Sequence, residues 1–203
     1  MSNDVILYVH GRGDLADEAA HYAPLFPGCQ VMGLDYRGRT TEEAGPEVAE
    51  AVRTLAAEGK RVILIANSVG AWYVMCAGID GLVKKAYFIS PVVDMEKLIC
   101  DLLTRAGATE DQLRSQGVVH TSIGEDLHWD YLCHVRAHPI QWTVPTAILC
   151  GSRDSLTSYE TYAAFARRHG AALTVMEGGQ HWFHTPEQMA FLDEWIKRSE
   201  ANG

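Results

Sequence analysis

Six short apolar runs, separated by polar or turn-forming segments, most constrain what this chain can fold into. The runs are rich in Val, Ile and Leu, and polar residues do not alternate with apolar ones along them. That pattern is typical of strands buried on both faces of a parallel sheet. The sequence therefore predicts a mainly parallel sheet of about six strands. The predicted strands are Val5–His10, Gln30–Asp35, Arg61–Asn67, Lys85–Pro91, Thr146–Gly151 and Leu173–Gly178.

Helical segments alternate with these runs. In the first of them, Val48, Val52 and Leu55 recur at helical spacing, and Gly59 ends the segment. Strands that alternate with helices imply right-handed crossovers, so the fold class is predicted to be a doubly wound α/β sheet. The predicted helices are Thr41–Glu58, Val69–Ala77, Glu160–His169 and Pro186–Lys197.

Residues 93–143 interrupt the alternation, because a simple crossover between two strands needs far fewer residues. Helical patterns predict three pieces in this insert, at Met95–Ala106, Thr109–Ser115 and Asp126–Val135. The insert is predicted to be a small helical lid. The whole chain, 1–203, has the length and the 47% hydrophobic content of a single domain with one core.

Charge and composition exclude several kinds of partner. The formal net charge of −9 would repel a phosphate backbone, so no nucleic-acid partner is expected. No apolar stretch reaches membrane-spanning length, so no membrane partner is expected either. The five cysteines are scattered without a C-x-x-C pair, and the N-terminus has no signal-peptide pattern. A reduced, cytoplasmic protein is expected, and its oligomeric state stays open.

The third predicted strand runs into a helix at Ala66-Asn67-Ser68-Val69-Gly70. A serine nucleophile on a sharp strand-to-helix turn needs small residues two positions before and after it, as in the pattern G-x-S-x-G. Here these residues are Ala66 and Gly70. Ser68 is therefore a candidate nucleophile. The alternative is that Ser68 only caps the helix that follows.

A candidate base and a candidate acid follow two later strands. His181 comes after a Gly-Gly turn that would let its loop reach Ser68, and a serine at neutral pH needs such a base. His184 is the competitor. Asp154 follows the fifth strand, so that Ser, Asp and His occur in the chain order of one class of serine hydrolase. Asp94, after the fourth strand, is the alternative acid.

The first strand ends in the glycine-containing segment His10-Gly11-Arg12-Gly13. Backbone amides in such a loop, together with the amide that follows a nucleophile, can bind a developing oxyanion. The amides of Arg12 and Val69 are the candidate oxyanion hole. His10 is expected to brace the loop.

Taken together, these motifs resemble the α/β-hydrolase superfamily over almost the whole chain, and in particular its small members that lack the leading antiparallel strands. The resemblance implies hydrolysis of an ester, thioester or amide, with the insert in the usual position of a lid. The departure from the pattern is Ala66, where the elbow motif has glycine.

The predicted function is a carboxylesterase-like serine hydrolase that acts on a small-molecule acyl substrate. It uses the triad Ser68, His181 and Asp154, with no cofactor and no metal. Trp129, Tyr131 and Trp182 are candidates for an apolar substrate pocket. The alternative is a non-catalytic binding protein on the same fold. A dinucleotide-dependent oxidoreductase is disfavoured, because no G-x-G-x-x-G follows the first strand.

Overall fold

The computed structural model describes residues 3–121 and 124–201. The chain divides into two compact units, of which Asp94–Ile140 is one and the remainder is the other. The strands are β1 (Asp4–Val9), β2 (Gln30–Gly33), β3 (Arg61–Asn67), β4 (Val83–Ile89), β5 (Val118–His120), β6 (Asp126–His128), β7 (Thr146–Gly151) and β8 (Ala172–Met176). The α-helices are α1 (Thr41–Ala57), α2 (Val69–Cys76), α3 (Met95–Arg105), α4 (Glu110–Gln116), α5 (Trp129–Ala137), α6 (Tyr159–His169) and α7 (Pro186–Ala201).

Six strands form one parallel sheet in the main unit, in the order β2-β1-β3-β4-β7-β8. The predicted α/β class with a mainly parallel sheet is therefore confirmed, and each predicted strand corresponds to one of these six. Compared with the prediction, β2 ends at Gly33 rather than Asp35, β4 covers Val83–Ile89 rather than Lys85–Pro91, and β8 covers Ala172–Met176 rather than Leu173–Gly178.

Both faces of the four central strands are buried over most of their length, as the unbroken apolar runs predicted, whereas the edge strands β2 and β8 are only partly buried. Ile6, Tyr8, Ile63 and Ile65 pack with the 3-10 segment Ala16–Leu25 and with α7 in one apolar cluster. The residues that alternate with them along β1 and β3 are also buried, and α1 and α2 pack on these two strands.

Within the described part of the chain, no helix is both long and apolar enough to cross a lipid bilayer.

The insert unit, Asp94–Ile140, is partly helical and partly a hairpin. The predicted helix Asp126–Val135 is wrong in its first three residues, which form β6 and pair antiparallel with β5. The register places Val119 opposite the buried Leu127, and this apolar pair favours the hairpin over a longer helix. The hairpin had not been predicted. The role of the insert as a lid stays a prediction.

Gly70 allows α2 to lie against the end of β1. A Cβ at this position would lie 2.3 Å from the carbonyl oxygen of His10 and 2.6 Å from that of Val9. Both contacts are with backbone atoms, which cannot swing aside. The small residue that the elbow pattern requires therefore serves the packing of a helix onto its neighbouring strand.

We expect Gly70→Ala to lower the free energy of unfolding by about 1–3 kcal/mol, the usual cost of forcing an extra carbon into a packed core. Urea denaturation measures this change. Gly45→Ala is the matched control, because a Cβ on Gly45, inside α1, would meet no atom within 4 Å. The control should be neutral or stabilising by about 0.5–1 kcal/mol. Equal losses in both variants would contradict the packing argument.

Candidate active site

The candidate site residues lie along one edge of the sheet. Because all six strands are parallel, their carboxyl ends share this edge. Ser68 follows β3 directly, Asp154 lies three residues beyond β7, and His181 lies in the loop between β8 and α7. The loop that carries Arg12 follows β1. The topology therefore brings together segments that are far apart in the sequence.

Ser68 occupies a tight turn between β3 and α2, with φ 50° and ψ −120°. A non-glycine residue with positive φ costs about 1–3 kcal/mol and persists only where its surroundings hold it. Here the neighbouring chain holds it at both ends: the Ser68 amide donates to the Ile89 carbonyl at 3.0 Å, and the Ser68 carbonyl accepts from the Val92 amide at 2.9 Å. The side chain of Ser68 makes no capping bond to α2, so helix capping does not account for this serine.

A chain of hydrogen bonds links the three predicted catalytic side chains. Ser68 Oγ lies 2.9 Å from His181 Nε2. On the other side of the ring, His181 Nδ1 lies 2.8 Å from Asp154 Oδ2 and 3.0 Å from Asp154 Oδ1. The Asp154 side chain is only 2% exposed and that of His181 16%. A hydroxyl, an imidazole and a carboxylate in this order can remove a proton from the hydroxyl.

The Asp154 carboxylate is held by more than the histidine. It accepts hydrogen bonds from the amides of Leu156 and Thr157 at 2.8 and 3.0 Å, and from the Tyr162 hydroxyl at 2.7 Å. Burial alone would raise the pKa of Asp154, but the interaction with the His181 imidazole and the hydrogen bonds from Thr157 and Tyr162 outweigh it, so the pKa lies below its usual value. The carboxylate is therefore ionised at neutral pH. Sequence reasoning missed Tyr162, which lies eight residues on, in α6.

The two competing residues have other partners. Asp94 caps α3, where its carboxylate accepts from the Lys97 amide at 2.9 Å. His184 stacks on the ring of Trp182 at 4.0 Å between centroids, and its Nδ1 lies 2.8 Å from the Trp182 carbonyl. The structure thus brings Asp154 and His181 to Ser68, and it gives Asp94 the role of a helix cap.

The loop after β1 lies against the serine turn. A Cβ on Gly11 would lie 3.2 Å from Ser68 Cβ. At the start of the loop, His10 stacks on Tyr36 with ring centroids 4.3 Å apart, and the His10 carbonyl accepts from the Tyr36 hydroxyl at 2.9 Å. These contacts agree with the expectation that His10 braces this loop. That the amides of Arg12 and Val69 bind an oxyanion stays a prediction.

A second carboxylate beside Ser68 was not anticipated. Asp14 Oδ2 accepts from Asn67 Nδ2 at 2.8 Å, and the Asp14 carboxylate also accepts from the Gly11 amide. Burial raises the pKa of Asp14 and the nearby charge of Glu18 raises it further. The two hydrogen bonds lower it, and the net pKa lies above its usual value. Asn67 is the last residue of β3, and Asp14 lies in the loop that follows β1. Polar residues at and just beyond strand ends are the signal that could have identified the pair.

A cleft of about 290 Å³ opens beside Ser68. Trp182 forms one wall and is 58% exposed. The cleft is lined by Arg12, Gly13, Asp14, Asn67, Ser68, His181 and Trp182. Of the other predicted pocket residues, Trp129 and Tyr131 belong to the insert unit, where the Trp129 ring lies 4.8 Å from the Arg114 guanidinium. Their place in a pocket stays a prediction.

In residues 3–121 and 124–201, no group of three or more His, Cys, Asp or Glu side chains is arranged to hold a metal ion.

Comparisons with known proteins bear on the fold. The chain matches no family model, and no curated protein matches it in sequence. It is similar in structure to Est1E from Butyrivibrio proteoclasticus (TM-score 0.73, 16% identity, 99% of this chain and 88% of that one covered). It is also similar to the mouse alpha/beta hydrolase domain-containing protein 10 (TM-score 0.75, 15% identity, coverages 98% and 90%). A third similar structure is the esterase domain of a Rhodothermus marinus protein (TM-score 0.67, 15% identity, coverages 98% and 87%). This chain therefore has the α/β-hydrolase fold that its motifs resembled.

Proposed function

We propose that this protein is a serine hydrolase that cleaves a small ester, thioester or amide through a triad of Ser68, His181 and Asp154. The observation that carries the proposal is the unbroken hydrogen-bond chain from Ser68 Oγ through the imidazole to a buried carboxylate. The strained backbone at Ser68 adds support, because strain of this kind accumulates at functional sites. The esterase and hydrolase names of the similar structures agree with it.

In the first half of the proposed reaction, Ser68 Oγ attacks the substrate carbonyl carbon while its proton passes to His181 Nε2. The carbonyl π electrons move to oxygen and form a tetrahedral oxyanion. When the carbon–oxygen double bond re-forms, the bond to the leaving group breaks and His181 gives its proton to that group. Asp154 stabilises the imidazolium throughout. An acyl group then remains on Ser68.

In the second half, water replaces the leaving group. His181 takes a proton from water, the hydroxide attacks the acyl carbon, and the collapse of the second tetrahedral oxyanion returns the proton to Ser68 Oγ and releases the acid. The backbone amides of Arg12 and Val69 are the proposed donors to both oxyanions, the latter at the N-terminus of α2. Every step uses side chains and amides of this chain together with water.

The lining of the cleft supports a small carboxylic ester as the substrate. A cleft of about 290 Å³ lies at the lower end of the usual size of small-molecule sites. One face of the Trp182 ring is stacked on His184, and the ring is largely exposed. Among the similar structures, Est1E has also been solved with ferulic acid bound. A flat, partly aromatic acyl group against Trp182 would use this wall.

We expect a fluorophosphonate probe to label Ser68 and the label to disappear in Ser68→Ala and His181→Ala. Hydrolysis of a short-chain aryl ester should fall in both variants by several orders of magnitude. Peptide mass spectrometry locates the label, and the release of the aryl alcohol follows turnover. Ser115→Ala and His120→Ala are the matched controls, since both side chains are exposed. A folded wild type that takes no label and hydrolyses no ester would favour the non-catalytic binding protein.

The identity of the acid is tested by Asp154→Asn against Asp94→Asn. Asparagine at 154 removes the charge and favours the wrong histidine tautomer, so kcat should fall by about 10⁴-fold. Asparagine at 94 still caps a helix, and kcat should stay close to that of the wild type. Steady-state kinetics on one aryl ester checks both variants. A large loss at 94 with none at 154 would overturn the proposed triad.

The wall formed by Trp182 is tested with a series of esters of increasing acyl size. Trp182→Ala should raise KM for an aromatic acyl ester by about threefold to tenfold, because a stacked aromatic pair contributes about 0.5–1.5 kcal/mol. The acetate ester, which has no aromatic acyl group to stack on the ring, should be little affected. Trp182→Phe should retain most of the preference. Identical KM changes for the aromatic and acetate esters would argue against contact with the acyl group.

A further inference from the structure

Two sets of side-chain interactions hold the loop after β1. At its start, Tyr36 binds the His10 carbonyl and stacks on the His10 ring. At its end, Asp14 binds the side chain of Asn67 at 2.8 Å. Asn67 is the last residue of β3 and directly precedes Ser68 in the chain. The hydrogen bond between Asp14 and Asn67 therefore joins the loop to the turn that carries the nucleophile.

We propose that Asp14 is a positioning residue whose carboxylate ties the loop after β1 to Asn67, and so keeps the Arg12 amide directed at the reacting carbonyl beside Ser68. This inference rests on the proposed function. Asp14 need not touch the substrate to act in this way. It acts through the backbone that it holds.

The hydrogen bonds of Asp14 indicate a link between two loops rather than only a turn within one loop. A turn within the loop needs only the hydrogen bond from the Gly11 amide to the Asp14 carboxylate. The bond from Asn67 comes from another strand, 53 residues away along the chain. A Cβ on Gly11 would lie 2.8 Å from Asp14 Oδ2 and 3.2 Å from Ser68 Cβ, so Gly11 is packed between the carboxylate and the nucleophile. A shift of Asp14 would move this backbone.

The chemistry of the pair also favours a fixed arrangement. The two hydrogen bonds to Asp14 stabilise its ionised form in a half-buried place where burial and the charge of Glu18 oppose ionisation. Hydrogen bonds to a charged acceptor are stronger than those between neutral groups. Misplacement of a catalytic group by about 1 Å costs about 100-fold in rate.

The experiment compares the wild type with four test variants and one control variant on one aryl ester. Asp14→Ala and Asn67→Ala each remove the tie from one side. Asp14→Asn keeps the shape but places an amide nitrogen or a neutral oxygen against Asn67. The exchanged double variant, Asp14→Asn with Asn67→Asp, restores a donor and an acceptor with the same total charge and leaves an oxygen for the Gly11 amide. Asp17→Asn is the control, an exposed acid in the same segment.

The measurements are kcat, KM, the rate of fluorophosphonate labelling of Ser68, and the free energy of unfolding in urea. We expect kcat and the labelling rate to fall about tenfold to 100-fold in both alanine variants, with KM changed less than threefold, because the oxyanion forms only after binding. In the exchanged variant, the decrease in log kcat relative to the wild type should be at most half of that in the alanine variants. The control should match the wild type.

Three results would overturn the proposal. The first is an active wild type whose kcat and labelling rate are unchanged in Asp14→Ala or Asn67→Ala. The second is a loss that appears in KM alone, which would place Asp14 in substrate binding. The third is an exchanged variant as impaired as the alanine variants although it is equally stable. If Asp14→Ala does not fold, Asn67→Ala and the exchanged variant decide the matter. Failure of the proposed function differs from all of these, because the wild type itself would then take no label.

Discussion

The strained turn at Ser68 is the constraint on which the rest of the site depends. The turn has a positive φ, and the Ser68 hydroxyl makes a hydrogen bond with His181 instead of capping α2. Backbone hydrogen bonds to the Ile89 carbonyl and from the Val92 amide hold the turn, and the absence of a side chain at Gly70 lets the helix approach β1. The cost of the turn is thus offset by the packed sheet around it. A looser sheet would let this turn relax and withdraw the hydroxyl.

The two sides of this turn have different tasks in the proposed mechanism. On one side, loops after β7 and β8 supply a carboxylate and an imidazole, and burial of Asp154 fixes the ring of His181. On the other side, Gly11 of the loop after β1 lies against the Ser68 turn, and hydrogen bonds hold this loop at both ends. Because each side is anchored to a different strand, the distances between the groups are set by the sheet rather than by the flexible loops.

Much of this arrangement could be predicted from the sequence, since buried parallel strands have unbroken apolar runs and their ends mark the site. Ser68, Asp154 and His181 were predicted in this way to form the site, and the structure links the three side chains in one chain of hydrogen bonds. The hairpin in the insert was missed, because strands of three residues are too short to show a periodic pattern. The bonds of Asp14 to Asn67 and of Tyr162 to Asp154 were missed as well. Such pairs depend on how adjacent loops pack, which spacing along one chain does not encode.

The most direct test of the account is to look for the acyl-enzyme itself. An aryl ester is mixed with the protein, the reaction is quenched in acid within the first turnovers, and the peptides are weighed by mass spectrometry. The account predicts one acyl group per chain, carried by the peptide that contains Ser68, together with a burst of aryl alcohol. Turnover of the ester while the acyl group resides on another residue, or undiminished turnover in Ser68→Ala, would contradict it.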